Sequence, residues 1–304
     1  MGKVVAVCTS KEKGERKTNI GTAMAVQGLG IEGDAHAGFG HRQISLLALE
    51  SIEKMREKGL AVYPGDFAEN ITTEEIDLVS LPIGSRLRIG TDVYLRVTQI
   101  GKECHAHCAI FQQAGDCVMP REGIFTEVLR GGKISAGDPL EPVPSYRFAV
   151  VTASDKGSKG EREDVSGELA GQLLLPWGDV HHRMILPDEE DVLADQLCQL
   201  CDRENMDLIL TTGGTGLSPR DVTPEATRRV IQREVPGIPE AMRRESWKKS
   251  PRSSLSRGIA GIRGRTLIIN LPGSPKGVRE QLEVLFPILD HALSILTGKG
   301  GECG

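Results

Sequence analysis

The chain has 304 residues, enough for two domains that each bury their own core. With 39% apolar residues, only 4% aromatics and a formal net charge of −5, the composition gives no support for a nucleic-acid-binding protein. No apolar run is long enough to span a bilayer, "MGKVVAVCTS" lacks the apolar core of a signal peptide, and seven cysteines do not suggest a disulfide framework; a cytoplasmic protein with no membrane partner is expected.

Residues 1–142 carry short β-rich runs, "VVAVCTS", "QISLLAL", "RLRIG" and "VYLRVTQI", punctuated by Gly and Pro, with one amphipathic helix near Glu50 to Lys58. This pattern predicts a mostly-β, barrel-like first domain. The proline-rich "DPLEPVPSYRF", Asp138 to Phe148, reads as an extended linker, placed at 143–147. Over 148–300, strand-like runs ("RFAVVTAS", "VHHRMIL", "DLILTT", "TLIINLP") alternate with helices starting near Ser166, Asp188, Thr223 and Lys276. Such alternation predicts an α/β three-layer domain with a mostly parallel sheet and ligands at the carboxyl ends of its strands.

Every predicted strand end of the second domain is polar or rich in glycine: "TASDKGSKGEREDVSG", "LPDEE", "TTGGTGLSPRDVTPEAT" and "NLPGSPKG". The glycines after "DLILTT" allow backbone N–H groups to converge on a phosphate at the start of the next helix. Each part also has a plain structural reading. Asp188 stands where a helix N-cap belongs, Asp221 could serve only to orient its loop, and Lys276 could lie idle on the surface. The basic run "RRESWKKSPR", Arg243 to Arg252, reads as a solvated helix face or loop, or as a patch that steers an anionic substrate. In combination, glycine N–H groups, Arg220, Lys276 and several aspartates on one sheet edge form the set that phosphate plus Mg²⁺ requires.

The motifs "SDKGSKGEREDVSG", "LPDEE", "LILTTGGTGLSPRDVTPEAT" and "LSRGIAGIRGRTLIINLPGSPKG" resemble the molybdopterin adenylyltransferases, the MogA and gephyrin G-domain family, from about Phe148 to Thr297. The resemblance implies Mg²⁺-dependent transfer of AMP from ATP to molybdopterin with release of pyrophosphate. By motif, Asp188 and Asp221 match the family's essential carboxylates and would hold the metal. Gly213, Gly214, Thr215 and Gly216 match its phosphate loop, while Ser154, Asp155, Ser158, Arg220, Ser274 and Lys276 fall in the ligand-lining loops. A homotrimer is implied, with a molybdenum-insertion protein and molybdoenzymes as further partners. A related loop, "TGGLGPT.DD", marks a nucleotide-amidase and competence-protein family, but Thr215 and the run Arg220 to Pro224 favour the molybdopterin group.

In the first domain, "GKECHAHCAIFQQAGDCVMPREGIF" places Cys104, Cys108 and Cys117 with His105 and His107 in a short span. Structural zinc is one reading, although paired Cys-x-x-Cys hooks are missing; a thiolate that holds molybdenum or carries sulfur is another. Together with "GLGIEGDAHAGFGHRQISLL", "YPGDFAENITT" and "LPIGSRLRIG", this stretch resembles MOSC domains, the molybdenum cofactor sulfurase C-terminal family. The resemblance implies a β-barrel that binds molybdenum cofactor. Cys117 and Cys104 are the positions most like the family's cysteine, with Cys117 the candidate metal ligand. His36, Arg42, Asn70 and Arg121 are either pterin or phosphate contacts or structural hydrogen-bonders. A non-catalytic cofactor carrier and a MOSC reductase of N-hydroxylated compounds stay open as alternatives.

Overall fold

In the computed structural model, which describes residues 2–38, 40–103 and 109–298, apolar side chains that alternate along short runs set the first half of the chain into strands. These are β1 (Gly2–Thr9), β2 (Thr18–Asn19), β3 (Thr22–Val26), β4 (Gly30–Ile31), β5 (Ile44–Ala48), β6 (Ile71–Glu74), β7 (Arg86–Ile89), β8 (Val93–Ile100), β9 (Ile124–Arg130), β10 (Gly132–Ser135) and β11 (Pro139–Val143). Seven of them run in the order β11-β7-β8-β9-β5-β6-β1, and Leu140 of β11 pairs with Gly2 of β1 to close the barrel. All neighbours are antiparallel except β5 and β6. Closure removes the free edges that an open sheet would expose. The interior is filled by Val4, Ile44, Leu46, Ile71, Leu87, Leu95, Val97 and Ile124.

Three helices flank the barrel: α1 (Leu49–Glu57), α2 (Ala109–Ala114) and α3 (Met119–Glu122). In α1 the apolar stripe of Ile52 and Met55 is buried, Glu50 lies in the first turn, and Lys54 and Arg56 lie in the last, the order that complements a helix dipole. Beneath these helices sits a second apolar cluster of Leu47, Ile52, Met55, Phe67, Cys117, Met119 and Phe125.

The chain divides into two units at Val143/Pro144. The segment read as a linker is therefore mostly structured: β11 occupies Pro139–Val143, and the first strand of the second unit starts at Tyr146. Proline is tolerated there because its carbonyl still accepts, as Pro139 does from the Gly90 N–H.

In the second unit β12 (Tyr146–Ala153), α4 (Asp155–Ser158), α5 (Val165–Leu174), β13 (Gly178–Leu186), α6 (Glu190–Asp202), β14 (Leu208–Thr212), α7 (Thr223–Val230), β15 (Arg233–Glu234), α8 (Gly237–Trp247), β16 (Ala260–Arg263), β17 (Thr266–Leu271) and α9 (Pro275–Thr297) follow in turn. The sheet order is β13-β12-β14-β17-β16-β15, with the first four strands parallel and the last two antiparallel. Both faces are covered, and the strands alternate between two cores. Val150, Leu208, Leu210 and Ile269 pack with α5, α8 and α9, while Ala149, Val151, Ile209 and Ile268 pack with α6 and α7. Helix α8 falls where the sequence offered only a basic run, of which Arg243 to Trp247 form the last turns. Lys248 pairs with Glu245, and Lys249 lies 3.5 Å from Glu280.

Candidate functional site

Parallel strands end on the same side of a sheet, so the loops after β12, β13, β14 and β17 meet. They enclose a cleft of about 630 Å³, lined among others by Ser154, Asp164, Ser166, Asp188, Gly213 to Gly216, Asp221, Gly273 and Ser274. The N-termini of α5 and α9 open onto it. Asp164 caps α5 by accepting from the Gly167 N–H (2.8 Å), and Ser274 caps α9 by accepting from the Gly277 N–H (3.2 Å). Helix starts that face a cleft favour an anionic ligand.

The glycine loop is the centre of the site. Gly213 and Gly214 hold φ of +86° and +61°, values that a side chain disfavours. A Cβ on Gly213 would lie 2.5 Å from the Ala153 carbonyl oxygen. One on Gly214 would lie 2.2 Å from Thr223 Oγ1 and 3.3 Å from Asp188 Oδ1. A Cβ on Gly216 would come within 2.9 Å of Asp221 Oδ2. Both carboxylates therefore lean on this loop. The N–H groups of Gly214, Thr215, Gly216 and Leu217 have no hydrogen-bond partner among the described residues, whereas the Ser218 N–H donates to Asp221 Oδ2 at 2.8 Å. Successive bare N–H groups form a concave donor set suited to phosphate oxygens.

Asp188 does not cap α6: the cap position is Glu189, and no side chain closes it. Instead Asp188 Oδ2 accepts from the Asp155 N–H (2.9 Å) while Asp155 Oδ1 accepts from the Asp188 N–H (3.0 Å), a reciprocal clasp between two loops. Burial raises the Asp188 carboxyl above its ordinary range, and the nearby Asp155 and Asp221 charges add to the rise. Asp155 moves the opposite way, lowered by its hydrogen bond to Arg220. Arg220 grips Asp155 through Nε (3.0 Å) and Nη2 (2.7 Å), so the cation that the sequence offered to a ligand is engaged by a carboxylate.

A divalent cation fits this donor set. Two carboxylates flank the glycine loop, and a cation there would offset the burial that raises the Asp188 carboxyl and the smaller repulsion from Asp155 and Asp221. No cluster of three His, Cys, Asp or Glu that could hold a metal ion by itself exists among the described residues.

Among the other expected residues, Ser154 caps α4 and lines the cleft. Ser158 lines an adjoining depression with Glu163, Glu168 and Arg183. Lys276 stands exposed in the first turn of α9, beside Ser274 and Pro275 of the cleft wall. Sequence reasoning passed over Arg162 and Asp164, which also line the cleft, and Arg257, whose side chain binds the back of the glycine loop. The acidic "EREDVSG" just before a helix was the available signal for Asp164; for Arg257 it was the place in the motif "LSRGIAGIRG", which does not say what its side chain touches.

In the first unit, Cys117 is 8% exposed within the apolar cluster under α1, and Cys104, Cys108, His105 and His107 lie outside the described residues. Asn70 is buried and structural: its amide donates to the Cys8 carbonyl (3.2 Å) and its oxygen accepts from Ser45 Oγ (3.0 Å). Arg121 pairs with Asp116, and Arg42 donates to Gln99 Oε1 (2.8 Å) with its guanidinium over the Phe125 ring. His36 sits 3.3 Å from the ammonium of Lys17, which forms a fully buried ion pair with Asp34 at 2.5 Å. That pair was not anticipated.

The second unit is thus a three-layer α/β domain with a mixed, mostly parallel sheet, at one edge of which a glycine loop, two carboxylates and two helix starts meet. Residues 149–291 match the family described as a probable molybdopterin binding domain, and residues 32–141 match the MOSC domain. Molybdopterin adenylyltransferase of Helicobacter pylori (strain J99) is 46% identical over 158 residues, 51% of this chain and 89% of the relative. That of Escherichia coli K12 is 42% identical over 144 residues, covering 46% and 73%. The crystal structure of the molybdopterin biosynthesis enzyme MoaB from Thermus thermophilus is 51% identical with a TM-score of 0.49, covering 52% of this chain and 99% of that one. The chain belongs to the molybdopterin adenylyltransferase family in its second half, joined to a MOSC domain in its first.

Proposed function

We propose that the second unit transfers AMP from ATP to molybdopterin. A terminal phosphate oxygen of the pterin attacks the α-phosphorus of ATP, the bond from that phosphorus to the bridging oxygen of the β-phosphate breaks, and pyrophosphate leaves with the electron pair. The observation that carries this reading is a loop with four bare N–H groups that carries Asp221 and is met by Asp188 from the loop after β13. Joining two anions calls for charge neutralisation and alignment more than for proton transfer. The N–H groups of Gly214 to Leu217 hold phosphate oxygens, and the starts of α5 and α9 favour the remaining negative charge. Asp188 and Asp221 would hold Mg²⁺, which when bound supplies neutralising charge at the phosphates. The Asp155–Arg220 pair fixes Asp188 through the reciprocal clasp.

The first unit, as a MOSC domain, binds, carries or sulfurates the product cofactor in this proposal, and a shared chain raises the local concentration of a labile intermediate. A homotrimer of the second unit, testable by light scattering, belongs to the same reading. The deciding experiment incubates the purified chain with molybdopterin, ATP and Mg²⁺ and analyses the products. Adenylylated pterin and pyrophosphate in equal amounts are expected. Absence of both, with the protein folded, overturns the reading.

A further inference from the structure

Arg257 follows a short 3-10 turn (Pro251–Leu255) and lies beneath the glycine loop. Its main-chain N–H donates to the Thr215 carbonyl at 2.9 Å. Its side chain donates from Nε to the Gly216 carbonyl at 2.6 Å, from Nη2 to the Asp221 carbonyl, and from Nη1 to Glu225 Oε1. One residue thus takes three carbonyls of the loop and the first turn of α7.

We propose that Arg257 is a positioning residue that orients and charges the loop's donors without touching the ligand. In a planar trans peptide the N–H points opposite to the C=O. When Arg257 holds the carbonyls of Thr215, Gly216 and Asp221 on its side, the N–H groups of Gly216, Leu217 and Val222 are turned the other way. Gly216 and Asp221 both border the cleft. A cation hydrogen-bonded to a carbonyl also polarises that peptide, so its N–H becomes a stronger donor. The guanidinium charge reaches a bound anion through two peptide units. The planar fork is needed because three acceptors at different angles must be met at once; the single ammonium of lysine keeps the charge but cannot meet them all. Glu225 Oε1 anchors the far end of the fork.

This role rests on the adenylyl-transfer reading for its kinetic part only. The test measures binding of inorganic pyrophosphate with Mg²⁺ by calorimetry, and adenylyl-transfer kinetics, for wild type, Arg257→Lys, Arg257→Gln and Glu225→Gln. Arg257→Gln is expected to weaken pyrophosphate binding at least tenfold and to lower kcat/KM by more, with Arg257→Lys recovering part of both. A merely structural residue would lower the folded fraction and the apparent kcat but leave the pyrophosphate affinity of the folded protein unchanged. Wild-type affinity and kcat/KM in folded Arg257→Gln overturn the proposal. If the Arg257 variants do not fold, Glu225→Gln decides: a several-fold loss of pyrophosphate affinity is expected, and none overturns it. A wild-type protein that binds pyrophosphate in an Arg257-dependent way yet makes no adenylylated pterin retires the proposed reaction and leaves the positioning role standing.

Discussion

Substituting Gly214 by alanine separates two effects that a glycine at positive φ usually confounds. The backbone strain of a Cβ at φ +61° is on the order of 1–2 kcal/mol. Against a total stability of about 5–15 kcal/mol the domain stays folded, with a melting shift of roughly 2–8 °C. The steric effect is separate. The new Cβ would sit 2.2 Å from Thr223 Oγ1 and 3.3 Å from Asp188 Oδ1, so the loop or α7 must shift, and the N–H groups shift with it. Losing one well-placed donor costs about 10²–10³ in rate. Gly264, in the turn between β16 and β17, supplies the control: its φ is +56°, but a Cβ there meets nothing within 4 Å. Gly264→Ala should carry the same strain with activity unchanged. Thermal melts and steady-state adenylyl transfer on the two variants give the comparison. Wild-type turnover in Gly214→Ala, or equal losses in both, refutes the reasoning.

Asp221→Asn and Asp188→Asn should each lower adenylyl transfer by about 10² or more, measured as pyrophosphate release. Because the folded-state pKa of Asp188 is raised, its charged form is disfavoured by folding. Asp188→Asn should therefore melt higher than wild type at pH 7, and the gap should close as pH falls through the carboxylate range; a lower melting point at pH 7 contradicts the assigned electrostatics. In the first unit, burial pushes the Asp34 carboxyl up, but the Lys17 ammonium and two backbone N–H groups outweigh it and leave the pKa lowered. That stability is present above the unfolded carboxylate value and is lost as pH falls through the folded one. Lys17→Met should cost about 3–5 kcal/mol by denaturant titration, and adding Asp34→Leu should restore part of it. Cys117, packed among Leu47, Met55 and Phe125, should resist alkylation in the native protein and react on denaturation; rapid native labelling would show that the cluster opens.

What was legible in the sequence was local. A strand that runs into Gly213 and Gly214 must turn, and helices start at Thr223 and after Ser274, so the glycine turn and the helix starts beside it could be read from contiguous residues. The sequence leaves helix α8 open, because the basic run Arg243 to Arg252 reads equally as a helix face or a loop; Pro236, Gly237 and Pro239 fall at the cap and first turn of α8, where the missing proline N–H groups have no intrahelical partner to lose. The proline-rich stretch at 139–143 was read as linker for its prolines, although only the partner strands β1 and β7 make it the closing strand of the barrel.

The site residues divide in the same way. Asp188 and Asp221 announce themselves by motif, but what each does is set by residues far along the chain: Asp155 binds Arg220 across 65 positions, and Arg257 reaches Gly216 across 41. Such pairings depend on four strands ending at one edge, and no local pattern encodes them. They also assign the charges differently from a list of residue types. Both arginines next to the loop are committed to the protein, Arg220 to Asp155 and Arg257 to loop carbonyls and Glu225. In the proposed reading neither guanidinium needs to move for a phosphate to enter the glycine loop, whose backbone amides would meet it, with Arg162 on the cleft wall. The donors in that reading are peptide N–H groups whose loop carbonyls Arg257 holds from the other side. The site's tolerance of substitution should therefore be lowest at residues such as Gly214 and Arg257, which shape the loop.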